Sequence, residues 1–321
     1  MRRGLVAAAL LLLALAAVAL LLPWGPLQAV WQEDRSLAAT VLFELRLPRT
    51  LLALIYGATL GIAGAALQAL FANPLASPDI TGGSSGAALG AVVGGYWLGL
   101  TGPLELAACG AAGALLALLL LLLAAGRRAE ASTVLLAGLA ISLAAGAATS
   151  LLLALAPSPF AFYDSFAWLM GSLVDRSLAQ VAASGVPALL ACSLLLARTA
   201  ALDSLALGED VAASLGFAPG RLRVEVVAAS AAAVGACVSV CGAVGFVGLI
   251  APVLARRLTG GHPGRAMVPA AIIGAALLLG ADLLTRLAPL GRSIPLGVIT
   301  AVAGTPLFLW IVVRMRWRLT A

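Results

Sequence analysis

An all-helical, polytopic membrane fold is what this sequence predicts, and three observations predict it. Apolar residues make up 63% of the 321 and charged residues only 10%, too few to solvate the surface of a globular domain of this length. Apolar runs of about 20 residues, the length that crosses a bilayer, recur along nearly the whole chain. No polar block that could fold as a separate soluble unit interrupts them, so residues 1–321 read as one membrane domain.

Apolar length, punctuated by Gly, Pro and Arg, places ten spans at about 5–30, 47–71, 79–99, 103–125, 132–155, 178–198, 224–243, 246–259, 266–285 and 294–313. The first follows Met1-Arg2-Arg3 and imitates a secretory signal. Its apolar core is too long, and no small-x-small cleavage site precedes Pro23, so it is expected to be retained. The eighth is short and opens with Gly245 and Gly248, the pattern of a tilted or broken helix enclosed by its neighbours. Gly64 before Asn73-Pro74 and Gly242 before Ala251-Pro252 echo one another, which suggests an inverted repeat.

The net charge of +6 comes without a single lysine. The arginines sit at the ends of apolar runs instead of forming one basic face, a pattern of membrane topology and not of nucleic-acid binding. With the N-terminus in the cytoplasm, the inner side holds arginines 2, 3, 127, 128, 198, 221, 223, 256, 257, 265, 314, 316 and 318, and the outer side only 35, 46, 49, 176, 286 and 292. This bias and the even span count predict both termini inside. Outside, residues 31–46 and 157–177 are long connections, the second carrying Phe160, Phe162, Tyr163, Phe166 and Trp168 as an expected interfacial helix. Inside, 200–223 is the longest loop, and its stretch 205–216, bounded by glycines, reads as one or two short amphipathic helices.

The strongest motif is Arg46-Leu47-Pro48-Arg49, then Gly57, Gly61, Gly64 and Gln68, then Asn73-Pro74-Leu75-Ala76-Ser77-Pro78 leading into Gly82-Gly83-Ser84-Ser85-Gly86. Small residues on one helix let neighbours approach closely, and the prolines force a non-helical turn before the next span. The chain continues with Trp168-Leu169-Met170-Gly171-Ser172-Leu173, then Gly242-Ala243-Val244-Gly245-Phe246-Val247-Gly248-Leu249-Ile250-Ala251-Pro252, Ala281-Asp282, Ile294-Pro295-Leu296-Gly297 and Gly304-Thr305-Pro306-Leu307-Phe308. This series resembles the FecCD family of permeases, which import iron-siderophores, haem and cobalamin. It departs from the family pattern at Val253, where a histidine is common, and at Ser293, where a glutamate is frequent.

The resemblance implies the fold of a type II ABC importer permease. It further implies a homodimer with its path lined by the fifth and tenth spans, two ATP-binding cassette subunits beneath, a periplasmic binding protein above, and a bacterial inner membrane. The residues agree that ATP and Mg belong to a partner: there is no Walker A sequence, and without lysine the ordinary phosphate-gripping loop cannot form. The resemblance assigns coupling to the ATPase to the loop with Leu205, Leu207, Gly208, Glu209, Ala212, Leu215 and Gly216, with 204–216 as coupling helices. It assigns docking of the binding protein to Arg46, Arg49 and Arg286, and the cytoplasmic gate to Ser132 and Thr133. Gln68, Asn73, Pro74, Gly86, Pro252, Pro295, Gly297 and Pro306 are structural members of its motifs.

Each assignment has a plainer counterpart. Interfacial arginines also snorkel, hydroxyl residues at a helix start also cap it, and Asp282 with Arg286 at i, i+4 forms an internal ion pair. Cys109, Cys192, Cys237 and Cys241 lie in apolar runs as packing residues, with no metal-binding cluster. The single histidine, His262, falls in an inner loop.

Two other classes compete. Gly83-Ser84-Ser85-Gly86 fits the string of an intramembrane serine protease, yet a histidine outside the membrane leaves that serine without a base. An ion-driven secondary transporter needs an ionisable group at mid-membrane, and no expected span centres on an acidic residue. As cargo the reading favours an iron-siderophore or haem, with cobalamin as the alternative.

Overall fold

The computed structural model describes residues 2–126, 131–155, 168–287 and 294–319. Residues 157–167 of the expected outer segment 157–177, with its aromatic residues before Trp168, the arginines at 127, 128 and 292, and Ser293 lie outside the described residues. Each of the ten expected spans is represented by a helix: α1 (Arg2–Leu21), α4 (Leu47–Leu70), α5 (Gly83–Tyr96), α6 (Pro103–Ala125), α7 (Ala131–Ala154), α8 (Leu178–Ala197), α11 (Pro219–Cys241), α12 (Val247–Leu258), α13 (Met267–Leu287) and α14 (Leu296–Leu319). Between them lie the short helices α2 (Trp24–Glu33), α3 (Arg35–Thr40), α9 (Thr199–Leu205) and α10 (Glu209–Ser214).

Several boundaries differ from the expectation for physical reasons. The first span stops at Leu21, not near 30, because Pro23 breaks it and α2 starts anew at Trp24. The long connection 31–46, expected on the outer side, is mostly helical. Asp34 caps α3 by accepting from the Ser36 and Leu37 amides and the Ser36 hydroxyl, and these donors hold its carboxyl below the usual range. A π-turn over Val41–Arg46 then runs straight into α4. α11 starts at Pro219, where proline suits the first helical turn.

Among the described residues, seven helical segments are long and apolar enough to cross a membrane. Of the other three, α14 contributes the shorter apolar stretch Leu296–Trp310, and α5 and α12 have 14 and 12 residues: the last two extend about 21 and 18 Å against a hydrocarbon core of about 30 Å. Both are enclosed by other helices, α5 by α6, α7 and α11 and α12 by α4 and α13, so backbone at membrane depth meets protein and not lipid.

The centre of the bundle is α4 and α11, whose apolar windows are each 78% buried, whereas that of α1 is 6% buried and faces outward. α4 and α13 are antiparallel and cross without side chains between them: a Cβ at Gly57 would collide with the Gly274 and Ala275 backbone, and one at Gly61 with Ala270. Gly86 on α5 meets the Gly113 backbone on α6 in the same way. The long helices alternate in direction, so α1 begins and α14 ends at the end of the bundle that carries α9 and α10.

Candidate functional sites at the two ends of the bundle

At the end opposite α9 and α10, the C-terminal turn of α13 meets the first turn of α4. Arg49 donates from Nε to Asp282 Oδ1 at 2.7 Å and from a terminal nitrogen to Thr285 Oγ1 at 2.8 Å. Arg286 forks onto Asp282 Oδ2 at 2.9 and 2.6 Å and reaches the Ala19 carbonyl of α1. The expected i, i+4 pair is therefore present, and Arg49 completes it as a triad. Asp282 is 1% exposed and Arg286 5%, so two cations compensate one buried carboxylate. Arg46 turns back to the carbonyls of Leu20, Leu21 and Pro23, closing the open C-terminal end of α1. All three arginines expected at a docking surface thus hold the fold together through these bonds.

A cavity of about 460 Å3 opens above the triad, lined by Arg49, Arg176, Asp282 and Arg286 together with Trp168 and Pro295. Its floor is a knot of three chain segments joined by backbone hydrogen bonds. Ser172 N donates to Cys241 O, Ala243 N to Leu169 O, Leu296 N to Gly171 O and Gly297 N to Met170 O, at 2.8 to 3.3 Å. Tyr56 on α4 donates its hydroxyl to Gly242 O from below. Gly242 has φ of +74° and its α-carbon lies against the Trp168 carbonyl, so only glycine fits there. Three motifs far apart in sequence, around Trp168, Gly242 and Pro295, are one structural unit.

Deeper in the bundle, Gln68 is fully buried and donates to the Leu249 carbonyl, tying α4 to α12. Asn73 accepts from the Leu75 amide, shaping the turn with Pro74. Pro252 lies buried inside α12 and Pro306 inside α14, where its side chain is exposed.

At the other end, 204–216 holds one whole helix, α10, while the preceding helix lies earlier than expected, at 199–205, directly after α8. Gly208 precedes α10 and Gly216 follows it. Ala212 is fully buried and anchors α10, while Leu207 at 69%, Leu215 at 59% and Val211 at 40% exposure form an uncovered apolar ridge. Glu209 pairs with Arg223 at 2.6 Å, tying α10 to the start of α11, while Arg198 and Arg221 both pair with Glu225, tying the end of α8 to the same turns of α11. The Gly264 amide donates to Asp203, joining α9 to the loop before α13. That loop holds His262, exposed as expected. Ser132 and Thr133 are exposed in the first turn of α7.

One charged residue inside the bundle escaped the sequence reading. Asp79, in a single 3-10 turn over Pro78–Thr81, accepts from Ser84 Oγ through its carboxylate and from Ser142 Oγ through its carbonyl. Ser142 is halfway along α7, so Asp79 stands level with the middle of the bundle. The prolines around it read as a connecting loop, and only the return of that loop into the bundle reveals its depth. Ser84 is held by Asp79, and among the described residues no group of three His, Cys, Asp or Glu side chains could hold a metal ion.

Alternating helices, two of them too short to span alone, with an apolar ridge at one end and a buried ion cluster under an open cavity at the other, make this a polytopic helical membrane protein. The chain matches the FecCD transport family over residues 5–314 and belongs to it. It is 39% identical over 290 residues to the vitamin B12 import system permease protein BtuC of Vibrio cholerae, covering 87% of this chain and 84% of that protein. It is 36% identical to the Fe(3+) dicitrate transport system permease protein FecD of Escherichia coli, covering 92% and 91%. A solved structure described as a metal-chelate type ABC transporter in an inward-facing conformation superposes with a TM-score of 0.86 at 30% identity, covering 98% of this chain and all of the other. The chain is thus a multi-pass permease subunit of a bacterial ABC importer, with the type II fold. It is a transport component and not an enzyme; ATP is hydrolysed on partner subunits.

Proposed function

We propose that two copies of this chain form the path by which a metal chelate, an iron-siderophore or haem, moves from periplasm to cytoplasm of a bacterial inner membrane. The observation that carries this reading is the exposed ridge of Leu207, Val211 and Leu215, tied by the Glu209 and Arg223 pair to α11, whose first turns are in turn paired with the end of α8. An apolar ridge on a polar membrane face asks for a protein partner, and two ATP-binding cassette subunits would press their grooves onto it, one per copy, turning their closure into tilting of α8 and α11. Glu209, Ala212 and the glycines at 208 and 216 set the shape of that ridge.

Arginines 198, 221, 223, 256, 257 and 265 cluster at the α9 and α10 end, which supports a cytoplasmic location for that end and both termini. The cavity over Arg49 and Arg286 then faces the periplasm, where carboxylates of a binding protein would meet arginines already fixed in place. Apolar side chains such as Leu136 and Leu143 on α7 and Val302 and Leu309 on α14 are left uncovered within one copy, as a path and a homodimer contact require. Ser132 and Thr133, in the first turn of α7, would stand at the inner gate.

Similarity to BtuC supports a second reading of the cargo, cobalamin. The test is uptake into proteoliposomes containing this chain, its ATPase and its binding protein, with ferric siderophore, haem and cobalamin offered at equal concentration. ATP-dependent uptake of one chelate names the cargo. Uptake by this chain alone, driven by an ion gradient, would overturn the proposal.

A further inference from the structure

An apolar groove of about 610 Å3 runs between α6, α8 and α11, away from both sites described above. Leu118, Pro187, Leu194 and Ala229 line it, and Arg198 and Glu225 close it at the end next to α9. From Pro187 to Arg198 the groove follows α8 for about 16 Å, half the thickness of a hydrocarbon core of about 30 Å. Its length is therefore that of one leaflet.

The groove does not end in solvent. Arg198 and Glu225 also belong to a second, smaller cavity of about 280 Å3 with Arg221, Gly216 and Phe217 at its wall. Both arginines meet Glu225 through Nε, at 2.9 and 2.8 Å, so two guanidinium groups share one carboxylate and the spot keeps a positive charge. Arg221 is 81% and Arg198 47% exposed, within reach of a ligand. An apolar slot one leaflet deep, opening onto a cationic pocket at the membrane surface, has the two-part chemistry of an anionic phospholipid.

We infer that the groove between α6, α8 and α11 binds an anionic phospholipid, its acyl chain along Leu194 and Ala229 and its phosphate on Arg198 and Arg221. In the orientation proposed above, this lipid belongs to the inner leaflet. Because the cationic pocket is walled by Gly216 and Phe217, just beyond α10, the headgroup touches the segment that couples to the ATPase. Basic pockets between helices at the cytoplasmic surface are the usual place for such headgroups.

The test is native mass spectrometry of the purified full-length chain, offered phosphatidylglycerol and phosphatidylcholine with identical acyl chains in equal amounts. Since it is done in detergent, its outcome does not depend on membrane orientation or on cargo. Wild-type protein is expected to retain phosphatidylglycerol over phosphatidylcholine by about tenfold. Arg198→Gln with Arg221→Gln should bring the two to near parity, and Ala229→Phe should lower retention of both by filling the slot. Equal retention of the two lipids by wild type would overturn the inference without recourse to any variant. So would displacement of the lipid by glycerol phosphate at equal concentration, which would mark a free-anion site, or cross-linking of a second copy through Leu190→Cys, which would mark a protein interface.

Discussion

Arg49 and Asp282 stand 233 residues apart in sequence and 2.7 Å apart in space, and their ion pair fastens the start of α4 to the end of α13. Arg286 supplies the second cation to the same carboxylate. Asp282 and Arg286 are buried and Arg49 is mostly so, and removing one partner strands the others.

Asp282→Asn should therefore destabilise the protein by about 3 kcal/mol, because two guanidinium groups lose their counter-charge in a poorly solvated place. Thermal unfolding of the purified chain in detergent measures this. Adding Arg286→Gln to Asp282→Asn should recover part of the loss, since one uncompensated cation is removed. An unchanged unfolding temperature for Asp282→Asn would mean that the triad is solvated and free to serve docking alone.

The crossing of α4 and α13 predicts a sharp contrast between two glycines. Gly57→Leu drives a side chain into the Gly274 backbone and should cost about 1 to 3 kcal/mol or prevent folding. Gly280→Ala on the same helix pair meets open space and should be neutral or slightly stabilising. Expression and unfolding temperature of the two variants, measured side by side, decide the matter.

In the proposed coupling, the pair Glu209 and Arg223 is what fastens α10 to α11. Glu209→Arg should leave ATP hydrolysis by the assembled complex near its basal rate while lowering uptake by about tenfold, the size of a modest coupling energy. The charge exchange Glu209→Arg with Arg223→Glu should restore much of the uptake. Parallel loss of hydrolysis and uptake would instead mean that the ATPase no longer binds.

Asp79 gives a test of the driving force. Asp79→Asn keeps the shape of the turn and weakens one hydrogen bond from Ser84, a change worth about 1 kcal/mol. Uptake by this variant should remain ATP-dependent and indifferent to an ionophore. If wild-type uptake collapses with the ion gradient and Asp79→Asn abolishes that sensitivity, Asp79 carries a coupling ion and the ABC reading fails.

How much of this was legible in the sequence depends on the range over which each signal acts. Ten helices could be read because apolar length is local, and the Asp282 and Arg286 pair because i, i+4 spacing is local too. The break at Pro23 was visible as a residue type but was read as part of one long span. Arg49 joining Asp282, the knot of the Trp168, Gly242 and Pro295 segments, and Asp79 at the middle of α7 all depend on which parts of the chain return to one another. Nothing in the residues near Asp79 states its depth. Of the motifs that the resemblance marks as structural, the one at Pro295 and Gly297 joins the backbone knot, and Gln68 ties α4 to α12 through its side chain; neither partner can be read from nearby residues.

The bare glycine contact between α4 and α13 also limits how the protein can move. Side chains that interdigitate can slip by a rotamer at small cost, but two backbones in contact have nothing to rearrange. That seam, pinned at one end by Arg49 and Asp282, behaves as a rigid axle. In the proposed transport cycle, movement then falls to helices outside that seam, and α7 and α14, whose apolar faces are uncovered within one copy, are placed to carry it.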